Sequence, residues 1–217
     1  MTFKENARLD TSQVGGGGGG RGRRGGRGLA AGGGAGGLLL LVLYLLFGGE
    51  LDGGGGGSGG GAGGADPWSF EASSVQGGEG TGQDFSHCQT GADANEHIDC
   101  RVVGTVNSVQ DYWQGYSEDY QAADTIIFSG VVDTGCGTAN SQVGPFYCPL
   151  DSQIYLDVSF FEQLEQLGGD GGSLSQMYVV AHEYGHHIQN QTGVLGRAQQ
   201  GDTGPESGAV RVELQAD

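Results

Sequence analysis

The chain has 217 residues, room for one ordinary domain and an appendage, and 27 of its 48 glycines fall between Gly15 and Gly64, a stretch that cannot bury a core. The formal charge is −17, and beyond Gly28 only Arg101, Arg197 and Arg211 stand against 24 acids. A body that acidic repels phosphate backbones, which argues against nucleic acid as a partner.

The head of the chain is basic instead: Lys4, Arg8, Arg21, Arg23, Arg24 and Arg27 supply six of the nine positive residues. Its Arg-Gly repeats resemble RNA-binding segments, but they directly precede the apolar run Leu38–Phe47, which favours orientation against lipid headgroups. Extended through the flanking Gly and Ala residues, residues 29–49 give about 20 uncharged positions, the length of a transmembrane helix. Positive residues stay cytoplasmic, so the expectation is a single-pass membrane protein: residues 1–28 a cytoplasmic tail, 29–49 the span, 50–65 a flexible Gly-rich linker. Residues 66–217 then form a periplasmic or extracellular domain. A cleaved signal peptide is the competing reading, and Phe47-Gly48-Gly49-Glu50 makes a poor cleavage site for it.

All four cysteines lie beyond the apolar run, in two equally spaced pairs, Cys88 with Cys100 and Cys136 with Cys148. In an oxidising compartment that spacing favours two local disulfides, although sequence alone permits three connectivities. A zinc knuckle from Cys88, His97 and Cys100 is the alternative, with a spacing that fits no standard finger. Apolar residues at Val102, Val106, Val109 and Trp113 predict a helix, and Thr125–Phe128 reads as a short buried strand. After the Pro149–Ser152 turn, alternation from Gln153 to Val158 predicts a strand with one polar face. Ser159–Leu167 reads as a short helix stopped by Gly168-Gly169.

The next helix carries the chemistry. Ser173 is its expected N-cap, Gly193 its stop, and Leu174, Met177, Tyr178, Ala181 and Ile188 its expected buried stripe. On it stands His182-Glu183-Tyr184-Gly185-His186. A four-residue step returns to nearly the same helical face, so both imidazoles can meet one zinc ion, while Glu183 projects to the side as a general base for the attacking water. The expected third ligand is Glu213, and Asp217, one turn on, can hold the far ring nitrogen of a ligand histidine. Glu206 is the runner-up, placed in a loop by Gly204 and Pro205. His187, about 100° round from the ligand face, is expected to face solvent or to support the ligands from behind. Tyr155, Tyr184 and His187 are possible oxyanion partners, each more simply a packing or surface residue.

Several stretches, in order and spacing over residues 100–217, resemble the bacterial neutral zinc metallopeptidase family: Asp133–Ala139, Val143–Pro149, Tyr155–Phe161, Val180–His187 and Glu213–Asp217. The resemblance implies an α+β, zincin-like fold, one Zn2+ held by His182, His186 and Glu213, Glu183 as catalytic base, and pairing of Cys136 with Cys148. It also implies protein or peptide substrates, with the Gln153–Val158 strand as the edge along which they pair. Family members continue past the position of Asp217, so the sequence is expected to be a C-terminally truncated fragment. Two other functions stay open: a non-catalytic, zinc-stabilised interaction module on the membrane, and a zinc amidase acting on cell-wall material.

Overall fold

A computed structural model describes residues 1–17, 83–166, 171–198 and 207–217. Its centre is a four-stranded sheet built from β1 (Val14–Gly17), β2 (Thr125–Phe128), β5 (Phe146–Cys148) and β6 (Gln153–Asp157), in the order β1-β2-β6-β5. The first three strands in that order run parallel, and β5 is an antiparallel edge. Between β2 and β5 the chain makes a separate hairpin, β3 (Val131–Thr134) with β4 (Gly137–Asn140). Helices cover the sheet: α1 (Gly91–Glu96), α2 (Ile98–Tyr116), α3 (Ser159–Gln166), α4 (Ser173–Gln191), α5 (Val194–Ala198) and α6 (Gly208–Ala216). This mixed architecture fits the expected α+β class.

The parallel strands are apolar because both faces of the sheet are covered. Ile127, Ile154 and Leu156 have no exposed surface, and Val102, Val103 and Val106 of α2 close over them together with Val179, Val180 and Tyr184 of α4, while Phe128 packs in a second cluster with Ala139, Phe146 and Tyr155. At the start of α1, Thr90 and Asp93 form a reciprocal capping box, a device worth about 1 kcal/mol. Both local disulfides are present. Cys88–Cys100 ties the approach to α1 onto α2, and Cys136–Cys148 ties the β3–β4 hairpin onto β5.

The amino terminus departs from the expected tail. Residues 1–17 are part of the domain: β1 pairs with β2 along its whole length, Leu9 N–H donates to the Gln89 carbonyl at 3.0 Å, and Phe3 exchanges hydrogen bonds with the side chain of Asn95. Gly104 of α2 makes room for the Phe3 ring, which a Cβ there would meet at 2.9 Å. The pairing of β1 with β2 places residues 14–17 in the same folded unit as β2. The span and the linker lie outside the described residues, as do residues 66–82 of the expected domain. Among the described residues, no helix is long and apolar enough to cross a membrane. Glycines give this strand no side-chain alternation to read; it is held by its backbone pairing and by Val14, which enters the core.

Three smaller expectations also change. The strand Gln153–Asp157 is interior, between β2 and β5, so the edge beside the later helices is β5. The N-cap of α4 is Gly172, and the Ser173 hydroxyl instead donates to the Met1 carbonyl at 2.9 Å. Leu174, Tyr178 and Ala181 are exposed; the face of α4 that packs inward runs through Gln176, Val179, Val180, His182, Glu183, Tyr184 and His186. The histidines themselves belong to that face, which moves the buried stripe away from the bulkiest apolar residues. Gly193, at φ 71°, does end the helix, in a left-handed conformation that glycine adopts without steric cost.

Candidate metal centre

The centre is assembled from two helices. His182 and His186 stand one turn apart on α4 with ring centroids 4.7 Å apart, and Glu213 reaches them from α6. Glu213 Oε2 lies 3.2 Å from His182 Nε2 and 3.4 Å from His186 Nε2, and all three side chains are buried. A tetrahedral zinc site with arms of 2.0–2.1 Å has ligand–ligand edges of roughly 3.3–3.4 Å. The two edges that meet at Glu213 Oε2 match such a site, and one donor atom from each of the three residues lies within 4.8 Å of the others.

The helices can approach this closely because of Gly185. A Cβ at that position would sit 2.6 Å from the Ala216 carbonyl oxygen and 2.8 Å from its Cα, both backbone atoms of α6. The other end of each imidazole is also held. His182 Nδ1–H donates to Asp217 Oδ1 at 2.8 Å, and the Tyr178 hydroxyl, one turn before His182, donates to the same carboxylate oxygen. His186 Nδ1–H donates to Gln189 Oε1 at 2.9 Å, and the Gln189 amide nitrogen donates to the Val212 carbonyl at 2.7 Å. The second bond fixes which end of the amide faces His186. Both rings therefore carry their proton on Nδ1 and aim Nε2 at the shared point.

Glu183 sits beside that point and is nearly inaccessible to solvent. Burial pushes its carboxyl pKa up, opposed by the neighbouring His186 and His182 and by the backbone N–H of Tyr147 on β5. Its Oε2 is a buried side-chain oxygen with no hydrogen-bond partner. An orphaned carboxylate oxygen is costly unless something fills its place. A water held between Glu183 and a cation at the three donors would supply the missing bond, so the residues fit a zinc ion on both donor chemistry and orphan placement. Burial alone would lower both histidines, yet the Glu213 hydrogen bonds and the Glu183 charge outweigh it: His182 is raised and His186 is pushed up to about 9. Burial would raise Glu213, but those same hydrogen bonds hold it below the usual carboxylate range.

Of the residues singled out from sequence, His182, Glu183, His186, Glu213 and Asp217 come together here. Glu206 lies outside the described residues. His187 is buried, not solvent-facing: its Nε2–H donates to the Gln121 carbonyl at 2.7 Å, Nδ1 accepts from the Tyr147 hydroxyl at 3.2 Å, and burial lowers its pKa. The Tyr155 hydroxyl is engaged by Asp151 and Gln153, and that of Tyr184 by Thr125 and Ala123, so neither points at the centre. Gln189, Tyr178 and Gly185 were missed. Gln189 and Tyr178 stand three residues after His186 and four before His182, spacings that place side chains together on a helix.

A domain of mixed helix and sheet with a His-Glu-x-x-His helix and a third candidate donor on a following helix has the donor set of a metallopeptidase-type centre. The chain belongs to the family described as "Putative neutral zinc metallopeptidase", whose model matches residues 3–217. It is 56% identical over 137 residues to "Uncharacterized protein Rv2575" of Mycobacterium tuberculosis and to "Uncharacterized protein Mb2605" of Mycobacterium bovis, covering 63% of this chain and 47% of each relative. It is 38% identical over 119 residues to "Uncharacterized protein YpfJ" of Escherichia coli, covering 51% of this chain and 42% of that one. The chain thus spans about half the length of these relatives. No solved structure matches it.

Proposed function

We propose that the protein is a zinc-dependent endopeptidase in which His182, His186 and Glu213 hold one zinc ion and Glu183 is the general base. The observation that carries this reading is the spacing of the donors, 3.2 and 3.4 Å about Glu213 Oε2, together with Glu183, whose buried Oε2 has no partner and whose charge interacts with all three groups. Bound there, zinc would polarise the scissile carbonyl and acidify the attacking water. Glu183 takes the proton from that water and returns it to the leaving amine, a shuttle suited to a carboxyl whose pKa burial has raised. Asp217 and Gln189 keep each ligand ring in one tautomer, which spares the site reorganisation during turnover.

The edge strand β5 runs beside α4, and an extended peptide adding to that edge would bring its carbonyl toward the centre. This peptide-binding edge favours protein substrates over the cell-wall amide, and the buried base favours an enzyme over a structural zinc module. For location, the two disulfides support an oxidising, extracytoplasmic setting. Membrane attachment through residues 29–49, the span expected from the sequence, belongs to the same proposal.

The test is Glu183→Gln, assayed with zinc stoichiometry against an unfolded protein substrate and a peptidoglycan substrate in parallel. Proteolysis falling by at least 10³-fold with one zinc retained supports the reading. Undiminished proteolysis in the variant, or hydrolysis of peptidoglycan alone by the parent, overturns it.

A further inference from the structure

The geometry points to a second, redox-gated metal site, formed by His87, Cys88, Asp99 and Cys100 when the disulfide between the two cysteines is open. One ligand atom from each of these residues lies within 4.8 Å of the others. The four come from the 14-residue stretch that leads into α1 and opens α2, well separated in sequence from the His182 centre and independent of its function.

Three features make the cluster a coordination set. His87 Nε2 lies 3.5 Å from Cys88 Sγ, which is close to the nitrogen–sulfur edge of a zinc tetrahedron with arms of about 2.0 and 2.3 Å. Asp99 is already aimed: its Oδ1 accepts the Cys100 N–H at 2.9 Å, while Oδ2 faces His87 Nε2 at 2.9 Å. The Cys88 and Cys100 Cα atoms are 5.0 Å apart, so a side-chain rotation can part the sulfurs to the roughly 3.7 Å that two thiolates on one zinc ion require. The sulfurs are buried beneath, and the His87 and Asp99 side chains are 47% and 26% exposed, which gives an ion its entry path. His97, whose ring meets His87 edge-on at 5.8 Å, is not a member of the group.

With the disulfide closed there is no thiolate to bind metal, and His87 pairs with Asp99 instead. A dithiol reductant supplies two electrons: the Cys88–Cys100 bond breaks to two thiols as the dithiol closes to its own disulfide. Zinc then displaces one proton from each thiol and is held by two sulfurs, one nitrogen and one oxygen. Four protein ligands leave no position for water, so the site is a structural clasp. It holds the α1–α2 segment in reducing surroundings, as the disulfide does in oxidising ones.

The test is zinc content of the full chain before and after anaerobic reduction, with cobalt as a spectroscopic substitute. The oxidised chain is expected to bind one equivalent and the reduced chain two, with sulfur-to-cobalt charge transfer in the near ultraviolet on reduction. The His87→Ala/Asp99→Asn variant should lose the extra equivalent and keep the first. The Cys136→Ser/Cys148→Ser variant should keep both. No gain on reduction, or a gain that follows Cys136 and Cys148, overturns the proposal. Should the double variant fail to fold when oxidised, His87→Gln read by the cobalt spectrum decides: an unchanged spectrum overturns the site, and loss of the tetrahedral signature supports it.

Discussion

Gly185→Ala tests whether the metal centre depends on the contact between α4 and α6. The added methyl would fall about 0.6 Å short of ordinary contact with Ala216 Cα and about 0.8 Å short with its carbonyl oxygen, both backbone atoms that cannot swing aside. Something must move by most of that distance, and the mobile partner is the end of α6. If the whole helix retreats, Glu213 leaves the 3.2 and 3.4 Å positions that match a zinc tetrahedron; if only its last turn frays, Asp217 leaves His182 Nδ1. Metal sites tolerate roughly 0.2 Å in ligand distance, and loss of an outer hydrogen bond alone costs about 10–100-fold in affinity. The expected weakening of zinc binding is therefore on the order of 100-fold, near 2.7 kcal/mol. Helix propensity works in the opposite direction, since alanine stabilises a helix interior by about 0.5–1 kcal/mol over glycine. The assay is a zinc dissociation constant from chelator competition, paired with thermal unfolding of the metal-free form. Zinc affinity equal to the parent's would show that the helix contact does not set the ligand geometry.

Gln189→Leu should weaken zinc binding by about 10–100-fold, because His186 loses the partner that fixes its tautomer; unaltered affinity measured by chelator competition would contradict that role. Zinc binding should release protons, because His186 is pushed up to about 9 in the metal-free centre and so carries a proton at neutral pH. Apparent affinity then rises with pH toward 9 and falls below it, and calorimetry at pH 7.5 in buffers of different ionisation enthalpy should read a net release; a binding enthalpy independent of buffer counts against it. An epitope tag at Met1 should be digested by external protease together with the domain, because β1 is paired with β2. Protection of the tag while the domain is cleaved would disprove that pairing in the cell.

What the sequence revealed follows from how locally each feature is encoded. The ligand helix, the Thr125–Phe128 strand and the two cysteine pairs depend on neighbours within a turn or a short loop, and they were legible. The role of Gly185 has no local signal, because the atoms it must avoid belong to Ala216, on a helix that periodicity cannot place. Val14–Gly17 was read as part of a tail for a similar reason: a glycine strand shows no alternation, and its partner lies more than a hundred residues away. The stripe on α4 is not where apolar counting puts it, because the buried polar residues Gln176, His182, Glu183 and His186 occupy the inward face in place of Leu174 and Tyr178. Tyr147 is invisible in this way too, since its backbone N–H, not its side chain, meets Glu183.

The charges in the metal-free centre explain how those distant parts stay in register without an ion. Glu213 is held below the usual carboxylate range and His186 is pushed up to about 9, so an Nε2–H of His186 gives Glu213 something to accept where a cation would otherwise stand. Removing the carboxylate alone would leave two buried imidazoles facing each other; removing the imidazoles would leave an unpaired buried acid. Either is expensive, so the three side chains depend on one another for burial. Glu183 is the exception. Its Oε2 has no partner while protons stand in for the ion, and the bond it lacks is the one a water at the metal would make. A group that the fold leaves unsatisfied, near three that it satisfies, is the physical difference between the proposed base and the proposed ligands.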